Sequence, residues 1–106
     1  MQVNISDKDL EELIYTGQNS KYKKYSRDKK FMEGLARVYK IMQIVENPEG
    51  LRPYSYLHYE KLANNVNLSS VRIVNGRVER LLFEETNDGI EITIIELNTH
   101  HYGNKK

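Results

Sequence analysis

The stretch SSVRIVNGRVERLLFEETNDGIEITIIEL, residues 69 to 97, decides the fold. It contains three short runs, SSVRIV, RVERLLFEE and GIEITIIEL, each rich in β-branched or aromatic side chains. Between them stand Asn75 with Gly76, and then Asn87 to Gly89. These residue types tolerate the positive φ values that tight reversals of an antiparallel ribbon require. The second half of the chain therefore reads as an antiparallel meander. Just upstream, YSYLHYEKL (residues 54 to 62) is rich in aromatic residues and fits either one more strand or a short helix.

Further back the period changes. Phe31, Leu35, Val38, Met42 and Val45 recur at alternating spacings of four and three, which makes one continuous stripe on a helix. NPEG (residues 47 to 50) stops it, because Pro48 disfavours helical geometry at Asn47 and Gly50 supplies turn freedom. An earlier helix is marked by Leu10, Leu13 and Ile14, with Ser6 as N-cap, Asp9 as a weak capping-box partner and Gly17 at its end. Val3 and Ile5 alternate with polar neighbours as a short strand does. The order is β-α-α-β-β-β(-β): an α+β fold in which two N-terminal helices pack on an antiparallel sheet. At 106 residues it makes one domain, residues 1–106, with one core.

Composition removes several classes of function. Without cysteine there is no disulfide framework, thiol nucleophile or thiolate metal site. No run approaches the roughly 20 apolar residues of a membrane span, and the first residues lack a basic and apolar leader. A soluble, cytoplasmic protein with no membrane partner is expected. Sixteen basic and fifteen acidic side chains nearly cancel, but their distribution is uneven. KYKKYSRDKK, residues 21 to 30, carries six basic groups and one acidic group around Tyr22 and Tyr25. Lys21, Lys23, Lys24 and Arg27 are thus candidates for contacts to nucleic-acid phosphates, although a charge run is more often a solvated helix start.

Strand alternation selects two further cations. Val71 and Ile73 share one face, so Arg72 points to the other; Leu81 and Phe83 share a face, with Arg80 opposite. If helices cover the apolar faces, Arg72 and Arg80 stand together on the open face of neighbouring strands. A guanidinium offers a planar fork of donors matched to phosphate oxygens and keeps its charge at any working pH. The plainer reading is that both arginines solvate the strands and discourage edge aggregation. Tyr54, Tyr56 and Tyr59 offer faces for unpaired bases, though such tyrosines commonly half-bury at a sheet margin. The histidines at 58, 100 and 101 lack the His-x-x-x-His spacing of a helical metal site, and neighbouring strand residues point to opposite faces, so no metal is expected. If Glu96, Asn98 and His100 continue the face of Ile90, Ile92 and Ile94, His101 lies on the other with Thr93 and Ile95; a bulge or a strand end exchanges the two. Phosphate loops and nucleotide-binding fingerprints are absent, and no cofactor is expected.

GLRPYSYLHYEKLANNVNLSSVRIVNGRVERLLFEE (residues 50 to 85), followed by ITIIELNTHHYG (residues 92 to 103), resembles the HigB-like, plasmid maintenance killer branch of the RelE superfamily of toxins. The resemblance lies in the order of YLHYEKL, SVRIV, VERLLF and NTHHY. It implies the toxin of a type II toxin–antitoxin system: a metal-independent and ribosome-dependent endoribonuclease that cleaves mRNA and inhibits translation. A cognate helix-turn-helix antitoxin would hold it in check. Carried onto this chain, the resemblance makes Arg72 and Arg80 the phosphate-binding and transition-state groups, with His100 or His101 as acid/base. His58 and Lys61 would contribute to RNA binding. The alternative is a non-catalytic module of the same fold that binds a protein partner, and the near-neutral charge keeps it open.

Overall fold

The three runs that decide the fold form β3 (Leu68–Arg72), β4 (Arg80–Thr86) and β5 (Glu91–Asn98), joined as an antiparallel meander. The structure is a computed structural model and describes residues 1–62 and 67–99. A two-residue strand, β2 (Glu60–Lys61), pairs antiparallel with β3, and β1 (Gln2–Ile5) lies parallel to β5, giving the order β1-β5-β4-β3-β2. The α+β architecture is the expected one, with the first strand added at one edge in the parallel sense. Gly76, Asp88 and Gly89 do adopt positive φ. The β3–β4 connection nevertheless takes in residues 73 to 79 and is no tight hairpin.

Three helices precede the meander: α1 (Lys8–Thr16), the single turn α2 (Lys23–Ser26) inside the basic stretch, and α3 (Lys29–Ile44). Asp7, not Ser6, caps α1, its carboxylate accepting from the backbone N–H of Asp9 at 3.0 Å and of Leu10 at 3.1 Å. A carboxylate there also meets the positive end of the helix dipole. Gly17 closes α1 at φ 77°. Asp28 caps α3 through the N–H of Phe31 at 3.1 Å. The expected stripe on α3 is buried from Phe31 through Leu35 and Val38 to Met42, with Val45 as the C-cap. Gly34 belongs to the same face: a Cβ there would stand 2.4 Å from the carbonyl oxygen of Ile73, so α3 reaches the end of β3 only through a glycine.

Phe31, Leu35, Val38 and Met42 pack with Val71, Leu81, Phe83, Ile92 and Ile94 as one core. Fully burying each such side chain contributes about 1.5–3 kcal/mol. YSYLHYEKL resolves into a 3-10 turn at Ser55–Leu57 followed by β2. His58 separates them in left-handed geometry (φ 49°, ψ 49°), which ends the turn and cannot continue a strand. On β5 the register slips by one residue. Leu82 faces Glu96 while Phe83 faces Ile94, so Ile95 bulges. Leu97 thereby rejoins Ile92 and Ile94 in the core.

Candidate active site

On the sheet face away from the helices, Arg72 is the direct cross-strand partner of Arg80, and Arg80 in turn faces Asn98 on β5. The next row holds Ser70, Leu82 and Glu96, with Glu60 opposite Ser70 at the margin. Directly opposed residues keep their Cα atoms roughly 4.5–5.5 Å apart, close enough for like charges to destabilise the pair. Arg80 is not open as alternation suggested; it is only 7% exposed. One of its terminal nitrogens donates to Ser70 Oγ at 3.2 Å and lies 3.6 Å from a carboxylate oxygen of Glu60. Arg72 is half-buried and donates one terminal N–H to the carbonyl of Arg77 at 3.4 Å. Its Nε is buried and meets no hydrogen-bond acceptor among the described residues. Arg80 thus has one half-exposed carboxylate beside it, Glu60, with side-chain exposure 53%. The pair is electrostatically incomplete, and an anion with oxygens for both forks would complete it.

Other expected residues fall elsewhere. Lys61 opposes Ser69, whose neighbours in register are core-facing, so it lies on the other face from the arginines, 3.2 Å from Glu85. Glu85 also accepts from the hydroxyls of Tyr59 at 2.8 Å and Ser69 at 2.9 Å. Burial and this carboxylate push the Tyr59 phenol well above its ordinary range. Tyr59 is therefore a core residue, its ring stacked 6.2 Å from Phe83. His58 is exposed, with Nε2 3.1 Å from Asn75 Oδ1, beside the β3–β4 connection and not in the Arg72–Arg80 row. His100 and His101 lie outside the described residues.

Lys21, Lys23, Lys24 and Arg27 are exposed on and around α2. Two ties anchor that segment at the end of the sheet where the arginines stand. The Tyr25 hydroxyl donates to Glu79 at 3.2 Å, and Arg77 binds Asp28 at 2.7 Å. The Arg77 guanidinium holds the Asp28 carboxyl below its usual range. A larger cleft of about 660 Å³ beside α1 is lined by Glu12, Asn19, Lys23 and Arg27 among others and includes neither arginine of the pair. Among the described residues no group of three or more histidine or acidic side chains is placed to hold a metal ion.

Sequence reasoning passed over Glu60 and Ser70. Both belong to the site only through the register of β2 with β3, and a two-residue strand leaves no periodicity to read. The sequence allows a bulge in the last strand as an alternative but does not place it at Ile95, where it brings Glu96 and Asn98 onto the arginine face.

No family model and no curated protein matches this chain by sequence. Solved structures do match it in fold. A YoeB/ParE toxin from Agrobacterium tumefaciens superposes with a TM-score of 0.54 at 13% identity, covering 94% of this chain and 99% of that one. A YoeB dimer from Staphylococcus aureus gives 0.53 at 21% identity, covering 94% and 97%. The chain thus has the RelE/YoeB-like toxin fold that its motifs led one to expect. These neighbours are YoeB and ParE proteins, and the HigB-like branch finds no counterpart among them.

Proposed function

We propose that this protein is the toxin of a type II toxin–antitoxin system and a metal-independent endoribonuclease acting on mRNA. The observation that carries the reading is the cross-strand pair Arg72 and Arg80 with Glu60 at its margin. In the reaction a ribose 2′-oxygen attacks the adjacent phosphorus. The bond from phosphorus to the 5′-oxygen of the next nucleotide breaks, leaving a cyclic phosphate and a free hydroxyl. Three things are required: a group to take the 2′ proton, charge stabilisation on the phosphoryl oxygens, and a proton for the leaving oxygen. Arg72 and Arg80 supply the second. Glu60 is the carboxylate positioned for the first. His100 or His101 is the candidate for the third, since imidazole titrates near neutrality. Lys21, Lys23, Lys24 and Arg27 extend the cationic surface for the RNA backbone, which binds without selecting sequence.

The fold neighbours are toxins, which supports the reading at the level of architecture. Partners in this proposal are mRNA on the translating ribosome and a cognate helix-turn-helix antitoxin that covers the arginine face; the assignment to the HigB-like branch rests on the sequence motifs. The compartment is the cytoplasm, where translation takes place, and none of the described helices is long and apolar enough to cross a membrane. Expression of the chain alone should arrest growth and fragment mRNA in a cell-free translation reaction. Arg80→Ala and Glu60→Gln should each relieve both effects; a harmless, non-cleaving wild type sinks the proposal. A non-catalytic interaction module predicts the opposite pattern, in which those substitutions change nothing but partner affinity.

A further inference from the structure

Between the middle of α3, the turn at Ser55–Leu57 and the β3–β4 connection lies a shallow pocket of about 360 Å³, lined by Arg37, Tyr56 and Asn75. The phosphate chemistry above makes no use of it. Each wall offers a different kind of contact. Tyr56 is 38% exposed, and Tyr54 braces its ring, the centroids 6.3 Å apart and the planes at 80°. The guanidinium carbon of Arg37 stands 5.5 Å from the centre of the same ring. Asn75 brings an exposed carboxamide, with Oδ1 3.1 Å from His58 Nε2. The rim therefore carries a row of donors and acceptors fixed by one imidazole and one amide. His58 reaches that position at φ 49°, a conformation costly for a non-glycine residue and found where geometry is held for a purpose.

We propose that this pocket is a nucleobase subsite: an unpaired base of single-stranded RNA stacks on Tyr56, its edge meets Asn75 and His58, and Arg37 takes the flanking phosphate. The inference rests on the endoribonuclease reading and gives its substrate a place to be selected. Size favours one nucleotide over a peptide segment or a duplex, since 360 Å³ is at the small end of ligand pockets. Position favours a base near the cut. Asn75 follows Arg72 by three residues, so their Cα atoms are at most about 11 Å apart along the chain. Chemistry favours an unpaired base because an aromatic face with an adjacent guanidinium is the platform that single strands use, and carboxamide or imidazole groups read exposed base edges. Stacking alone tolerates every base, so discrimination falls to Asn75 and His58.

The test uses the full chain and a short single-stranded RNA whose 2′-hydroxyls are methylated, so that it binds without being cut. It carries the fluorescent base 2-aminopurine at each position in turn. Wild type should quench the fluorophore strongly at one position. Tyr56→Ala should abolish that quenching and weaken binding about tenfold, in line with the loss of one stacked base; Tyr56→Phe should retain both. Asn75→Ala should keep the quenching and level the affinities of RNAs differing in the base at that position. Quenching and affinity unchanged in Tyr56→Ala, with affinity lost in Arg80→Ala, would overturn the subsite and leave the RNA reading standing. No binding of the RNA by the wild-type chain overturns the subsite, while mRNA cleavage in the cell-free translation reaction decides the endoribonuclease reading separately. Circular dichroism of Tyr56→Ala, expected to match wild type because the residue is exposed, separates a lost contact from a lost fold.

Discussion

The two faces of the sheet treat charge in opposite ways. On the helix-covered side Glu85 accepts from Tyr59 and Ser69 and lies beside Lys61, so the carboxylate is matched from every direction. On the other side Arg72 and Arg80 are set against each other, the half-exposed Glu60 lies 3.6 Å from Arg80, and the Arg72 Nε is left without an acceptor among the described residues. A matched polar group inside a fold serves stability; an unmatched one weakens the fold and is kept where a ligand completes it. The same sheet thus carries a closed polar network on one face and an open one on the other, set apart by register alone.

Substitutions can break this contrast in order of size. Phe83→Ala on the covered face should lower unfolding free energy by about 3–5 kcal/mol in urea denaturation, as expected for a large core side chain. Arg72→Met on the other face should reduce mRNA cleavage on the order of 10²–10³-fold, the loss seen when one charge-stabilising group is removed. Its unfolding midpoint should stay level or rise, because a desolvated like charge has gone. A large drop in that midpoint would show that the arginine pair is structural after all. Glu85→Ala should do the reverse, costing about 1–3 kcal/mol through the stranded Tyr59 and Ser69 hydroxyls with cleavage intact.

The smallest effect is a pH dependence. Tyr22 donates to Asp7 at 3.1 Å, and burial followed by that carboxylate raises its phenol from 10.0 to about 12. The folded chain therefore holds this proton more tightly than the unfolded one. Its contribution is fully present below pH 10 and is lost as pH climbs from about 10 toward about 12. Tyr22→Phe should flatten the alkaline limb of stability against pH, and an unchanged slope would assign that limb to other groups.

Where residues repeat, the sequence could be read. The stripe from Phe31 to Met42 and the meander of β3, β4 and β5 are periodic, and alternation put Arg72 and Arg80 on one face, while the register that pairs them is seen only in the structure. Where geometry depends on one local event, it could not. Ser6 and Asp7 are both good caps, and only the course of the chain selects Asp7. The left-handed turn at His58 shortens the aromatic segment to a two-residue strand and turns Lys61 toward Glu85 and away from the arginines. Glu60 enters the candidate site by the same event, with no motif of its own. The histidine doublet at 100 and 101 lies outside the described residues, so its part in the chemistry rests on the resemblance.

Ile95 gives the last strand two phases. Up to Ile94 its odd-numbered positions face away from the core; from Glu96 onward they face into it. The strand behaves like a message read in two frames, one serving the helices and the other the arginines. A side-chain replacement at Ile95 changes one letter. Removing the residue would close the bulge and merge the two frames into one plain alternation, with Ile92, Ile94 and Leu97 still facing the core, so this position is a single inserted residue between two registers that already agree.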